Sequence, residues 1–281
     1  MATSVLGLKT FAASDPVDYN EINDNYNKID NGVKTAMQGR AEHNLLDNSY
    51  WKVQSWIVNQ RGATSYTLNG YTIDRWRTYH ADNTVTVNSG NLSFTNTIYQ
   101  NLIGIDASKT YTLAVCDPLG NITMMTSTPE SGAWKNNLRL SSESEGVVRV
   151  AISKERSPLV WAALYEGSYT ADTLPAYQPK GYAAELAECQ RYYYAVEKEL
   201  FFVAWADNNG CLDYTVLLPQ TMRAIPTVTF DKLQYIDESG YVSFTNSPYY
   251  TGRDRVAIRK LGLTLNKAYG LSMKFSASAD L

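Results

Sequence analysis

The sequence predicts a mostly β chain: a short N-terminal helix, a β-sandwich or jelly-roll domain, a linker helix, and a small C-terminal β-sandwich. Three observations predict it. Apolar residues alternate with polar ones in short runs punctuated by Asn, Asp, Gly and Pro turns, the signature of strands rather than helices. The aromatic set is Tyr 21 and Trp 6 against Phe 7, and Tyr and Trp suit both pleated faces and wet surfaces. Helical periodicity appears in two places only, near residues 15–39 and 183–199.

The first helix has Asp15 as its cap, Pro16 in its first turn and Asp18 adding negative charge at the positive end of the dipole. Ile22, Tyr26, Ile29, Val33 and Ala36 follow at alternating spacings of four and three. That is the seam of a coiled coil or of a helix lying on a surface, and Gly39 ends it. A helix of two to three heptads is marginal alone in water, so this one must pack against something, and copies of itself are the natural partner.

From Asn44 to about Leu174 the pattern is short strands. Tyr71, Ile73 and Arg75 alternate with Thr72, Asp74 and Trp76. Val85 and Val87 lead into the turn Asn88-Ser89-Gly90, and Leu92 and Phe94 leave it, which reads as a hairpin. Tyr111, Leu113 and Val115 precede Asp117-Pro118-Leu119-Gly120. Val148, Val150 and Ile152 make another strand, and Trp161, Ala163 and Tyr165 a last one. Strands at this spacing mean a sandwich or jelly roll. Pro175, Pro179 and Gly181 mark a boundary, and good helix formers run from Ala183 to about Glu199. Strands resume from Phe201 to Leu281, turning at Asn208-Asn209-Gly210, Asp237-Glu238-Ser239-Gly240 and Thr251-Gly252, with an inter-strand corner between Pro219 and Pro226. The organisation expected is therefore 1–43, an arm and helix; 44–181, the larger β domain; 182–200, a linker helix; and 201–281, a small β domain. The last is small for a self-sufficient core.

Composition narrows the function. The chain has 281 residues, 44% hydrophobic and 19% charged, with a net charge of −3. It can bury real cores, and it lacks the basic stripe of a nucleic-acid binder. The cations at Arg253, Arg255, Arg259 and Lys260 are interrupted by Asp254 and read as solvated charge. Cys116, Cys189 and Cys211 have no framework spacing and read as reduced, buried thiols. No apolar run reaches the length of a membrane span, and the start MATSVLGLKTFAASD lacks the pattern of an export signal.

No catalytic motif is visible. His43 and His80 stand apart, no metal-ligand spacing occurs, and neither a nucleophile elbow nor a phosphate-cradling loop is present. Neither a metal nor a cofactor is expected. Glu143 and Glu145, Asp237 and Glu238, and Asp172 are the acids a glycan-cutting enzyme would have to pair; each reads as a solvated loop acid. Binding is the better fit. A sugar offers apolar C–H faces to a ring and hydroxyls to Asn, Asp or Arg. The candidate carbohydrate-binding residues are Trp134 and Asn136 in the larger domain, and Trp205, Asn208, Tyr249, Tyr250, Arg253 and Asp254 in the smaller. Trp51, Trp76 and Trp161 fall on strand patterns and are expected to be buried, and Asp74 and Arg75 to pair structurally.

Two sets of phrases carry a resemblance. NLLDNSYW, VNQRG and YTIDRW lie between Asn44 and Trp76. YAAELAECQRYYY (182–194) leads into LLPQTMRAIPTVTF (217–230). In this order they resemble bacteriophage and prophage tail-fibre, or receptor-binding, proteins; the likeness extends to phage-tail-like bacteriocins. In that family similar phrases frame a jelly-roll domain like a carbohydrate-binding module. NQRG and YTIDRW supply early strands, ELAECQRYYY the connecting helix, and LLPQTMRAIPTVTF the opening of a C-terminal tip. The segment DPVDYNEINDNYNKID (15–30) resembles the part that joins the tail or baseplate. The resemblance implies a non-enzymatic homotrimeric fibre of the virion tail, made in the host cytoplasm. It would be attached at its N-terminal end and bind a bacterial surface polysaccharide or a teichoic-acid-like polymer, with no nucleic acid and no membrane span. The alternatives are a glycan-degrading hydrolase or lyase of the tail, and a purely structural part such as a baseplate adaptor or head fibre.

Overall fold

A computed structural model describes residues 18–38, 43–244, 250–265 and 267–280. The chain is mostly β, with 44% of it in strands, about twice the share of an average soluble protein. Helix α1 is Tyr19–Gln38. Then come β1 (Ser65–Thr67), β2 (Gly70–Tyr71), β3 (Arg77–Thr78), β4 (Thr84–Asn88), β5 (Asn91–Phe94) and β6 (Ile98–Ile103). These lead into β7 (Tyr111–Cys116), β8 (Ile122–Ser127), β9 (Trp134–Lys135), β10 (Leu138–Ser144), β11 (Val147–Ile152) and β12 (Trp161–Glu166). Helix α2 is Tyr182–Gln190. The remaining strands are β13 (Tyr193–Ala195), β14 (Leu200–Trp205), β15 (Leu212–Leu217), β16 (Thr227–Asp237), β17 (Gly240–Ser243), β18 (Tyr250–Thr251), β19 (Arg255–Lys260) and β20 (Ala268–Ser278).

Helix α1 is capped by Asp18, whose carboxylate accepts the Asn20 N–H at 2.9 Å, one of the donors a helix start leaves unpaired. Asp15, Pro16 and Gly39 lie outside the described residues. Of the seam, Ile22 is half-buried and Tyr26 and Ile29 are exposed; the Val33 and Ala36 side chains lie outside the described residues. Among the described residues, no helix is long and apolar enough to cross a membrane.

Strands β1–β12 form three sheets, in the orders β1-β4-β5, β2-β3-β6-β11-β10-β9 and β12-β7-β8. Their inner faces share one core: Val85 and Leu92 from the first, Ile98, Leu140 and Val150 from the second, Leu113, Met125 and Leu164 from the third. The hairpin turn at Ser89-Gly90 pairs Asn88 with Asn91, as the Asn-Ser-Gly run predicts. The β9–β10 turn is built on Asn136 and Asn137, with φ of 55° and 62°. Two left-handed residues in a row make the hairpin turn whose twist matches the strands, and Asn tolerates that conformation.

Strands β13–β20 build two more sheets around a second core. β20 runs through the centre of one, with β16 along one side and β14 and β13 end to end along the other. The other sheet is β15-β19-β18. Leu212, Val256 and Ile258 meet Leu271, Met273 and Phe275 between them. The turn between β14 and β15 is tied by Asp207, whose carboxylate accepts the N–H groups of Asn209 and Cys211, both at 2.8 Å. Gly210 in this turn has φ +67°, and a Cβ there would lie 2.5 Å from the Leu263 carbonyl oxygen. Gly210→Ala is expected to cost about 2–4 kcal/mol, from the left-handed backbone plus the clash, read as a fall in the urea midpoint.

Several expectations are corrected. NQRG is a turn and not a strand, and YTIDRW is a turn beyond Tyr71, which ends β2: Asn59 to Gly62 closes through the Gly62 N–H to the Asn59 carbonyl, and Ile73 to Trp76 through the Trp76 N–H to the Ile73 carbonyl. Alternation misled because Ile73, Asp74, Arg75 and Trp76 are all buried; a segment enclosed on every side shows no two-fold rhythm. Helix α2 ends at Gln190, not near Glu199. Tyr193–Ala195 pairs instead with Ser276–Ser278 of β20, a fit for aromatic residues on a pleated surface. Asp74 and Arg75 pair with other residues and not with each other: Asp74 with Arg61 at 3.1 Å, Arg75 with Asp47 at 3.0 Å. Trp51 and Trp76 are fully buried but lie outside strands, and Trp161, at the start of β12, is half-buried. Cys116, Cys189 and Cys211 are free and buried.

Candidate functional site

The six-stranded sheet turns one face to the shared core. Its other face carries rings and guanidiniums in rows. Register places Tyr71 beside Arg77, Arg77 beside Tyr99, Tyr99 beside Ala151, Ala151 beside Arg139, and Arg139 beside Trp134. Paired residues in a sheet point to the same side. At about 4.8 Å per strand the row spans roughly 24 Å. The next row holds Asn101, Arg149 and Ser141. The sequence dictates this face by period-two alternation: Tyr99 and Asn101 interleave with Ile98, Gln100 and Leu102, and Arg149 and Ala151 with Val148, Val150 and Ile152.

Its middle is closely packed. The rings of Tyr79 and Tyr99 stack with centroids 4.0 Å apart. The Arg149 guanidinium lies 4.6 Å from the Tyr99 centroid and 5.0 Å from that of Tyr79, within cation–π range. Arg149 Nε donates to Asn101 Oδ1 at 2.9 Å, and Nη1 pairs with Glu143 Oε2 at 2.5 Å. Glu143 Oε1 accepts from Ser141 Oγ at 2.7 Å. Arg77 lies over Tyr71 at 4.6 Å and Tyr99 at 5.6 Å. Arg139 Nε donates to the Gly132 carbonyl at 2.8 Å. Tyr99 is buried beneath Tyr79, which is itself partly open to solvent; burial raises the Tyr79 hydroxyl above the usual phenol range. At the far end Trp134 stands 47% exposed. The arrangement offers exposed rings, fixed amide and hydroxyl groups, and the guanidiniums of Arg77, Arg139 and Arg149 with Glu143 beside the last; Arg61, held by Asp74 and Asp280, reaches the Tyr71 end at 5.1 Å. Rings, amides and guanidiniums are the groups that stack on and hydrogen-bond hydroxyl-rich ligands.

The sequence-predicted residues divide. Trp134 lies on this face. Asn136, in the adjoining turn, spends its amide on the Met124 carbonyl at 2.8 Å. In the C-terminal strands the predicted residues fall in two places. Trp205 projects from the outer face of β14, and Asn208 is exposed in the β14–β15 turn. Tyr250 is exposed on β18, beside Ala257. Arg253 Nε is spent on the Met222 carbonyl at 2.7 Å, and Asp254 on Arg255 at 2.7 and 2.9 Å. Tyr249 lies outside the described residues. Sequence reasoning missed Tyr79, Tyr99, Arg77, Asn101 and Arg149. Strand alternation marks each as outward-facing, but bringing residue 99 beside 151 requires the pairing.

A second concentration of charge lies where the two groups of strands meet. Arg61 bridges Asp74 at 3.1 Å and Asp280 at 2.6 Å and stacks on Tyr193 at 3.8 Å. Asp47 takes Arg75 and Lys180, and Arg75 lies 3.4 Å over Tyr192. Glu185 of α2 accepts the Asn48 N–H at 2.7 Å, so this helix is fastened to the first group of strands. Burial pushes Asp74 up to about 6, against the pull of Arg61, and raises Asp280 and Glu185 too. Burial also acts to raise Asp47, but Arg75 and Lys180 outweigh it and hold that carboxyl below its ordinary value. Perturbed carboxyls can mark an active site. Here Asp74 is enclosed by Arg61, the Gln60 N–H at 2.6 Å and the Gln60 amide, which is the pattern of a structural network. A cleft of about 380 Å³ opens beside it, lined by Asn59, Arg61, Tyr193, Asp231 and Lys274 among others.

The remaining acids stay dispersed. Glu143 and Glu145 belong to the β10–β11 hairpin, Asp237 and Glu238 to the β16–β17 hairpin, and Asp172 to the segment leaving β12. His43 and His80 are both exposed. Among the described residues no group of three or more His, Cys, Asp or Glu could hold a metal ion. Comparison with known proteins finds no matching family model, no matching curated protein and no matching solved structure.

Proposed function

We propose that this chain is a receptor-binding fibre protein of a bacteriophage or prophage tail. In this reading it is a homotrimer joined to the tail or baseplate at its N-terminal end, and it attaches the particle to bacterial surface glycan without cutting it. The larger β region is then a jelly roll acting as a carbohydrate-binding module, and strands β13–β20 form the tip. The observation that carries the reading is the outer face of the six-stranded sheet, where Tyr79 and Trp134 are presented over a fixed lattice of Arg77, Asn101, Arg139 and Arg149. The phrase resemblance supports it, as do the exposed Tyr26 and Ile29 on α1, which identical helices would cover. Single sugar contacts are weak because much of their hydrogen bonding replaces water. Bundled copies multiply them.

The excess of guanidinium over carboxylate on the face favours an acidic polymer over a neutral one. The test is adhesion of labelled protein to bacterial cells, with binding to immobilised polygalacturonate, poly(glycerol phosphate) and dextran. The pair Tyr79→Ala and Trp134→Ala is expected to lower affinity per site about tenfold or more. Raised salt should weaken binding to the acidic polymers, since exposed charges are screened. Unchanged adhesion by the double variant removes the sheet face as the site. Release of reducing ends from the polymers replaces attachment with hydrolysis.

A further inference from the structure

Strand β14 alternates strictly. Leu200, Phe202 and Ala204 pack against the second core. Phe201, Val203 and Trp205 point the other way and are 56%, 66% and 69% exposed. Three large apolar side chains in a row on one solvent face reverse the usual rule for a half-buried strand. The register extends the patch: Val203 lies beside Gly270 of β20, Gly270 beside Ile236 of β16, and Ile236 beside Tyr241 of β17. Tyr241 is 64% exposed. A Cβ on Gly270 would sit 3.0 Å from the Phe201 ring and 3.1 Å from Ile236 Cδ1, so these two close over the glycine into one continuous surface.

We propose that this outer face of β14, β20, β16 and β17 is a contact surface for a second copy of this chain. It deepens the bundled-copy part of the proposed function and relies on that reading only for the number of copies. Two observations choose the occupant. The first is area. With about 200 Å² per aromatic side chain, Phe201, Trp205 and Tyr241 alone expose roughly 400 Å². That is enough for the apolar centre of an interface burying about 800 Å² per partner, and Val203 adds to it. The second is charge. At one edge Lys232 pairs with Glu199 at 2.7 Å, and Glu199 also accepts from Ser272. At the other Lys267 pairs with Glu238 at 2.9 Å. Both lysines are thus matched by a carboxylate of their own chain, so at these edges the face meets its own copy with little like-charge repulsion; Lys274, beside Lys232 in the register, leaves one cation at the rim, a weak draw for a charged partner or an anionic lipid surface. Trp205 therefore serves assembly, in place of the sugar contact its neighbours in sequence indicate.

Light scattering on the full chain tests this. The wild type is expected at a multiple of 31.4 kDa. Val203→Lys with Trp205→Lys should raise the dissociation constant about 100-fold or more and move the mass toward that of one chain. Leu217→Lys, on the outer face of the other sheet and also exposed, should leave the mass unchanged. A wild type that is monomeric throughout, a double variant that keeps the wild-type mass, or a Leu217→Lys variant that dissociates equally overturns the proposal. Should the double variant fail to fold by circular dichroism, the fluorescence difference between wild type and Trp205→Phe decides. A red shift of that difference on dilution supports the contact, and its absence overturns it. A chain that assembles as expected yet does not bind cells removes the attachment reading and leaves this one standing.

Discussion

Asn48→Ala is expected to destabilise the chain by about 3–5 kcal/mol, the sum of several orphaned buried groups and an unfavourable backbone. Asn48 is buried with φ +48°. Its amide donates to the Val58 carbonyl at 2.8 Å and the Asp74 carbonyl at 2.9 Å, and its side-chain oxygen accepts the Val58 N–H at 2.9 Å. Its own carbonyl accepts the indole N–H of both Trp51 and Trp76 at 3.0 Å. Those two rings meet edge to face at 5.3 Å. Alanine removes three hydrogen bonds from groups that water does not reach, and it tolerates the left-handed conformation less well than Asn does. Asn48→Gly should recover the backbone part and not the rest. The measurement is the urea midpoint at unchanged slope, followed by tryptophan fluorescence. A loss below about 1 kcal/mol would mean that water or a rearranged turn replaces the amide.

Arg61→Met is expected to cost about 3–5 kcal/mol at pH 8, the usual consequence of leaving buried charges without their partner, and markedly less at pH 5. The sign follows from burial. Asp74 titrates near 6 in the folded chain, above its unfolded value of about 3.9. The folded state therefore holds the proton more tightly. The stability this contributes is full below the unfolded value and is lost as pH rises through about 6. Asp280 and Glu185, also raised by burial, act in the same sense. Asp47, held low, acts oppositely, but only as pH falls below the ordinary carboxyl range, outside this window. Wild type should accordingly gain stability from pH 8 to pH 5. Removing Arg61 takes away the cation that offsets two buried carboxylates, so the penalty is greatest where both are ionised. Equal losses at the two pH values would show that Arg61 acts by packing on Tyr193 and not by charge.

The strands with one solvent face were legible in the sequence, and the enclosed segments were not. Hairpins such as β4–β5 and β16–β17 announce themselves because alternation and turn chemistry agree. The stretch from Asn44 to Trp76 is the opposite case. Its backbone is fixed by side chains, Asn44, Asn48 and Asp74, that bond across 118, 10 and 14 residues, and no local rhythm encodes such bonds. The end of α2 was obscured for a related reason: Tyr193 and Tyr194 fit a helix face or a strand, and only β20, some eighty residues on, decides between them. On the outer face of the six-stranded sheet, Trp134 was singled out because its sequence neighbours Lys135, Asn136 and Asn137 are polar. Tyr79, Tyr99 and Arg149 were missed because each looks like an ordinary strand residue until the sheet assembles. Trp205 was picked out together with Asn208 as a sugar contact; that Phe201 and Val203 stand exposed beside it on one face of β14 is visible only once the strand is placed.

The Arg61–Asp280 bridge joins residues 219 positions apart. At an elongation speed of about 5–20 residues per second, the partner of Arg61 leaves the ribosome roughly 10–40 s after it. During that delay the first sheets have all their own strands, but the junction beside Asp74 lacks its last ion. Strand β20, which Asp280 follows, also closes the sheet of β13, β14 and β16. Completion of the Arg61 junction and completion of that sheet thus coincide, well after the first sheets have been made. A nascent chain paused before that point has its first sheets complete while Arg61 still holds only one of its two carboxylates.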